Sequence, residues 1–116
     1  MRWTLLALSL ALAGCREQPP GYALIGDSAR GQQLVSRYGC TSCHVIPGVG
    51  EQGIVGPPLD RMSTRRYLAG HFPNVPQEMI AWLRFPQQLK PGSAMPNLGV
   101  GDRDARDIAA YLYTLR

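Results

Sequence analysis

An all-α fold is predicted by three observations. Apolar residues recur at helical spacing in three separate segments. No run of any length alternates apolar and polar residues as a half-buried strand would. The links between the segments are rich in Gly and Pro and carry no period of their own. The first of these links begins at Cys40-Thr41-Ser42-Cys43-His44, two thiols three positions apart followed directly by an imidazole. That spacing reads as a c-type haem attachment site. The thiols of Cys40 and Cys43 can add across the two vinyl groups of a haem and tether it by thioether bonds, and His44 then lies beside the ring as a proximal ligand. Three other chemistries use the same residues. A thioredoxin-type dithiol belongs in a βαβ context, which these helical and loop-like flanks do not offer. A zinc site needs three or four protein ligands, and the only other Cys and His are Cys15 and His71. A plain disulfide leaves His44 without a role.

A chain of 116 residues holds one small domain. Twelve Lys and Arg stand against eight Asp and Glu, eleven of the cations being Arg and the twelfth Lys90. The cations are interleaved with acids and apolar residues, so nothing marks a nucleic-acid surface. Residues 1–14 read as a leader outside the fold: Arg2 is a short positive start, and Trp3 to Ala13 is an apolar run well short of the roughly 20 residues a bilayer span needs. The run ends in Leu12-Ala13-Gly14-Cys15, which resembles the bacterial lipobox. The resemblance implies cleavage before Cys15 and acylation of its thiol. An ordinary cleaved signal peptide is the alternative, and it leaves a spare thiol in an oxidising compartment. Either way the chain is expected to be exported to the periplasm or another extracytoplasmic face. Acyl chains hold a membrane surface at roughly 0.8 kcal/mol per buried CH₂ without crossing it. Residues 15–26, with Pro19, Pro20 and Gly21, read as a tether, and the domain is expected over residues 27–116.

The first helix is predicted from about Ser28 to Tyr38, capped by Asp27 or Ser28. Gly31, Leu34, Val35 and Tyr38 share one face, and Gly39 ends it. Gly31 costs about 1 kcal/mol there relative to Ala, a cost offset if another helix comes close. Residues 45–59 form a long Gly- and Pro-rich loop that needs something to pack on, for which a haem face is a candidate. Within it, a proline-stiffened carbonyl of Gly56-Pro57-Pro58-Leu59 suits the back of a ligating imidazole, which normally donates its second N–H; an ordinary turn reads equally well. Residues 60–70 are predicted as a short helix, with Arg61, Arg65 and Arg66 on a solvated face and Arg65 or Arg66 as candidates to pair with a haem propionate. His71 to Pro76 is a loop. A second main helix runs over Gln77 to Phe85 with Pro76 in its first turn, Met79, Ile80, Leu83 and Trp82 on its apolar side, and Pro86 closing it. A second long loop spans residues 87–101. It frames Met95 between Pro91-Gly92 and Pro96, where packing alone poorly explains a methionine and a soft thioether suits haem iron. Met62 and Met79 fall on expected helices. The last helix is predicted from about Asp102 to Leu115, with Asp102, Asp104 and Asp107 near its positive end and Ala105, Ile108, Ala109 and Leu112 as its buried stripe. Its alanines permit close approach over Gly31.

Residues 27–116 resemble class I cytochromes c. The likeness lies in Gly31 and Leu34, in Cys40-Thr41-Ser42-Cys43-His44, in Gly56-Pro57-Pro58-Leu59, in Pro91-Gly92-Ser93-Ala94-Met95-Pro96 and in Ala110-Tyr111-Leu112, in the family's order. The resemblance implies a cytochrome c fold, three to four helices wrapped around one covalent haem c. His44 and Met95 would be axial ligands, the Pro57 carbonyl would accept from the His44 ring, and the first and last helices would cross at Gly31. From Gly56 to Met95 the chain is also similar to cytochrome c domains attached to bacterial haem–copper oxidases, through Pro73-Asn74 to Pro76, Trp82-Leu83-Arg84 with Pro86, and Lys90-Pro91-Gly92. Trp82 joins the expected haem contacts on that likeness.

What the resemblance implies is one-electron transfer in an exported respiratory chain, with redox proteins (an oxidase or a dehydrogenase) as partners and no small-molecule substrate. Arg37, Arg84 and Lys90 are candidates for the rim of a docking surface. Two other classes stay open: a small haem peroxidase, which requires a vacant axial position in place of Met95, and a haem subunit permanently docked in a larger complex. His71 in place of Met95 would give a bis-His haem.

Overall fold

The computed structural model describes residues 25–116. The expected leader, Cys15 and nearly all of the tether lie outside the described residues. Four α-helices carry the described chain: α1 (Ser28–Arg37), α2 (Pro76–Arg84), α3 (Pro86–Leu89) and α4 (Asp102–Leu112). The strongest packing is between α1 and α4, with α2 laid against α4.

Helix α1 starts where the Asp27 carboxylate accepts the Arg30 N–H at 3.0 Å and ends at Tyr38, after which Gly39 turns the chain at φ 74°. Its buried face is Gly31, Leu34 and Val35. Helix α4 stops at Leu112, three residues before the predicted end, with Tyr113 as its cap and two further turn hydrogen bonds beyond. Ala105, Ile108, Ala109 and Leu112 are all buried, as the apolar stripe predicts.

The crossing uses different residues from those the stripe suggests. A Cβ added to Gly31 would lie 1.9 Å from the Asp107 carbonyl oxygen and 2.8 Å from the Tyr111 Cβ, so the two backbones touch over Asp107 and Tyr111 rather than over alanines. Asp107 is 5% exposed, and its carboxylate accepts the Asp27 N–H at 2.7 Å and the Arg30 guanidinium. Arg30 also reaches Asp104 at 2.5 Å, and the Tyr38 hydroxyl donates to Asp104 at 2.7 Å. The aspartates that suit the dipole of α4 therefore also stitch it to α1. Burial alone would raise the Asp107 pKa, but the Asp27 amide and Arg30 outweigh it and hold the carboxyl below its usual range. The Tyr38 hydroxyl and Arg30 hold Asp104 low as well.

Between the main helices the structure departs from the sequence reading in two places. Residues 60–70 contain no α-helix: a single 3₁₀ turn (Met62–Thr64) leads into β1 (Tyr67–Leu68), which pairs antiparallel with β2 (Phe72–Pro73) in the register Tyr67 to Pro73 and Leu68 to Phe72. Ala69 and Gly70 turn the hairpin at φ 50° and 71°. Strands of two residues are too short to show an alternation. Long-range bonds support the ladder instead: the Asn74 amide donates to Met62 O at 2.8 Å and Arg65 O at 2.9 Å, and Tyr113 donates to Asn74 at 2.9 Å. The second departure is α3. Pro86 does end α2, but it also sits at the first position of a new helical turn, where its fixed φ is favourable. The predicted loop over 87–101 thus begins with helix.

Candidate functional site

The chain around the thiols is set by local geometry. After the left-handed Gly39, a 3₁₀ turn (Cys40–Ser42) brings the Cys43 N–H to Cys40 O at 3.2 Å and the His44 N–H to the same oxygen at 3.0 Å. Cys40, Cys43 and His44 all line one cavity of about 550 Å³, a volume within the range of small-molecule and cofactor sites. Both cysteines are half-buried, and they are not joined to each other in a disulfide. Burial pushes the Cys40 thiol up. Among the described residues no group of three or more His, Cys, Asp and Glu is placed to hold a metal ion.

The loop 45–59 folds back onto this turn. The Gly56 N–H bonds Cys43 O at 2.8 Å and the Leu59 N–H bonds Val45 O at 2.8 Å, which lays Gly56-Pro57-Pro58 along the imidazole. His44 Nδ1 is 2.7 Å from the Pro57 carbonyl oxygen. A carbonyl only accepts, so Nδ1 is the donor in this bond, and Nε2 is the ring nitrogen left to serve as a metal ligand. Gly56 cannot be larger: a Cβ there would lie 2.3 Å from His44 Cε1 and 2.6 Å from Nδ1. Gly53 plays a similar part behind the main chain, where a Cβ would meet the His44 nitrogen at 2.5 Å.

Other parts of the wall come from the second loop and the helices. Met95 is half-buried and lines the cavity, as do Trp82 from α2, and Ile108 and Leu112 from α4. Trp82 is braced by Phe72, with ring centroids 5.9 Å apart. Of the two arginines considered for a propionate, Arg65 lines the cavity and Arg66 does not. Arg65 is also engaged, its guanidinium donating to Pro58 O and, at 2.9 Å and 3.1 Å, to the Asp60 carbonyl and carboxylate. His71 is exposed, stands edge-on to Phe72 and is not a wall residue.

The sequence reading missed several wall residues. Met62 and Met79, set aside as helical, both reach the cavity, and Met62 lies on the 3₁₀ turn rather than a helix. They are 4% and 1% exposed, core residues with one side to the cavity. Their presence there shows that helix membership does not separate Met95 from the other methionines. Tyr67 and Leu68 enter through the hairpin, for which the sequence carries no signal. Of the three cations expected on the rim, only Lys90 belongs to the wall, with its ammonium on Ala69 O at 3.1 Å. Arg84 turns away to Asp102 at 3.1 Å. Exposed apolar residues do reach the mouth: Val55 (63% exposed) and Leu98 (38% exposed).

Two thiols in the haem-attachment spacing, an imidazole with its second nitrogen already held, a thioether and an apolar wall form a donor set that fits haem c. Comparison with known proteins agrees. The "Cytochrome c oxidase subunit 2" of Alkalihalophilus pseudofirmus is 32% identical over 88 residues, which is 75% of this chain and 25% of that protein. The chain thus spans about a quarter of the length of that relative. The structure of cytochrome c2 from Rhodobacter capsulatus matches with a TM-score of 0.54 at 22% identity, over 75% of this chain and 96% of that one, a likeness of fold. The family model for cytochrome c matches residues 28–116. No helix among the described residues is long and apolar enough to cross a membrane. From the fold, the cavity and the family match together, the chain belongs to the cytochrome c family of haem c electron-transfer proteins.

Proposed function

We propose that the chain carries a single haem c, bound through Cys40 and Cys43 with His44 and Met95 as axial ligands, and that it shuttles one electron at a time in an exported respiratory chain. The observation that carries this reading is the shared cavity wall: both thiols, the imidazole and Met95 border one apolar space. When bound, the haem supplies one Fe(III)/Fe(II) couple. The protein's own part is to hold the ligands still. Pro57 O fixes the His44 tautomer, Gly56 lets the loop lie against the ring, and the apolar wall keeps water from the ligands. With two protein ligands no position is left for a substrate, so the chain is not an enzyme on this reading. Trp82 and Arg65 are assigned as haem contacts on the strength of their place in the wall.

The mature protein is proposed to begin at lipidated Cys15 after removal of residues 1–14, with residues 15–26 as a tether and residues 27–116 as the haem domain. It would work at an extracytoplasmic membrane face. A haem–copper oxidase is the proposed acceptor, supported by the similarity to an oxidase subunit. The same similarity favours one second reading, a haem subunit held permanently in an oxidase complex. Solubilisation in mild detergent separates the two: the carrier elutes alone, the subunit with its complex.

The ligand assignment is tested on the ferric protein. Met95→Leu is expected to abolish the weak far-red charge-transfer band of thioether-ligated haem and to admit azide, whereas Met62→Leu and Met79→Leu leave both unchanged. Loss of the band in Met62→Leu or Met79→Leu, with Met95→Leu unaffected, overturns it.

A further inference from the structure

We propose that Gln87 is the positioning residue for Met95, and that its side-chain amide sets how firmly the thioether competes with other ligands for the iron. The proposal rests on the reading that Met95 is an axial ligand.

Gln87 lies in the first turn of α3, just after buried Pro86. Its Nε2 donates to Ser93 O at 2.7 Å and to Met95 O at 2.8 Å. Its Oε1 accepts the Gly92 N–H at 3.3 Å. Its backbone N–H donates to the Asn97 side-chain carbonyl at 3.2 Å. One residue thus bonds the Met95 loop on both sides of the methionine, at 92, 93, 95 and 97. The orientation of the amide is not arbitrary. Two carbonyl oxygens need donors and one N–H needs an acceptor, and only one of the two flips provides both.

The loop has little else of its own. It turns at Gly92 (φ 80°), has no regular structure after α3, and the Met95 N–H finds only the Ser93 hydroxyl at 3.3 Å. A half-buried amide that satisfies three backbone groups of one loop restricts the conformations that the loop can sample. Displacing the thioether requires the loop to leave that conformation. An external ligand therefore works against the Gln87 bonds, and its apparent affinity is reduced by the small population of the displaced state.

The experiment is a titration of ferric holoprotein with imidazole, followed optically, combined with amide hydrogen exchange. Gln87→Met keeps the length and the apolar stem of the side chain but none of its hydrogen bonds. It is expected to tighten imidazole binding by about tenfold. Gln87→Glu keeps the acceptor for Gly92 but sets a carboxylate against two carbonyls, and is expected to tighten binding at least as much. Gln88→Met, one position along on the exposed side of α3, is expected to leave the affinity unchanged. In the unaltered protein the Gly92 amide is expected to be protected from exchange although the residue is exposed. Imidazole affinity of Gln87→Met within about twofold of the unaltered protein, or a Gly92 amide that exchanges at the unprotected rate, overturns the proposal. The failure of the ligand assignment looks different: imidazole affinity would then be unchanged in Met95→Ala itself. If Met95→Ala tightens binding and Gln87→Met does not, the role of Gln87 alone is refuted.

Discussion

The α1–α4 crossing and the Met95 loop are held by opposite means. At the crossing, two regular helices meet backbone to backbone over Gly31, and the polar groups there are partnered by each other: Asp107 by Arg30 and the Asp27 amide, Asp104 by Arg30 and Tyr38. The Met95 loop has almost no regular structure, and its order comes from side chains that bond its backbone, chiefly Gln87. The crossing closes the fold on itself. The loop is one side of a cavity and has the bound group as its expected packing partner. The lesson is that stability and ligand strength are governed from different places in so small a protein, and substitutions can address them separately.

The largest expected effect removes the packing partner altogether. About ninety residues with two long loops bury little apolar area of their own, and metal binding is linked to folding in such domains. Cys40→Ala with Cys43→Ala is expected to leave the domain largely without helix by circular dichroism. Full native helicity in that double variant would mean that the crossing suffices without the cofactor, and the contrast drawn above would fail.

Next comes the crossing itself. Gly31→Leu drives a side chain into the Asp107 carbonyl and must part α1 from α4. A loss of about 3 kcal/mol or more in denaturant unfolding of the holoprotein is expected, in the range of severe overpacking. The far-red thioether band should persist in native buffer, since the loop is held elsewhere. Asp107→Ala is expected to be milder, about 1–3 kcal/mol, because partly exposed Arg30 can turn to water. The same network carries a pH signature. The Asp107 and Asp104 carboxyls titrate below their unfolded value, near about 3.9, so their ionised forms favour the folded state. This contribution is complete above that range and is lost as pH falls through the folded values. Acid unfolding of the Asp107→Asn variant should therefore be flatter below about pH 4 than that of the unaltered protein; an equally steep curve would place the acid sensitivity elsewhere.

The loops should answer by potential and ligand binding rather than by unfolding. Gly56→Ala pushes a methyl into the His44 ring and should break its bond to Pro57 O. A higher midpoint potential is expected, because an imidazole that no longer donates to a carbonyl is a weaker donor to ferric iron. The smallest effect is expected at Arg84, which is tied to Asp102 beside α4 and lies outside the cavity wall. Arg84→Ala should leave the rate of electron transfer to an acceptor protein, and its dependence on salt, nearly unchanged. A clear loss of salt dependence would place the docking face on α2.

Much of this architecture was legible in the residues. The cap of α1 and the stripes of α1 and α4 are local signals, read correctly because the same residues that favour a helix also face its partner. The CxxCH spacing carries its chemistry in five residues, whereas Gly56-Pro57-Pro58-Leu59 reads equally as an ordinary turn, and only the family resemblance points to the Pro57 carbonyl behind His44. Other parts depend on contacts that no local pattern encodes. The hairpin at 67–73 rests on Asn74 reaching across to Met62 and Arg65 and on Tyr113 reaching back to Asn74. Pro86 was read only as a stop, although the same rigid φ starts α3. Asp107 looked like a dipole partner, and its burial against α1 is visible only once the helices cross. Gln87 carried no signal at all, since a glutamine in a polar stretch differs from its neighbour Gln88 only by what it touches.

The most direct test of the central claim is the mass of the matured chain under denaturing conditions, after expression in a host that attaches haem outside the cytoplasm. The account predicts a coloured protein whose mass exceeds that of its polypeptide by one haem, with the excess retained on unfolding and absent when Cys40 and Cys43 are both replaced by alanine. A colourless protein at the bare polypeptide mass, or a haem that dissociates on unfolding, would contradict it.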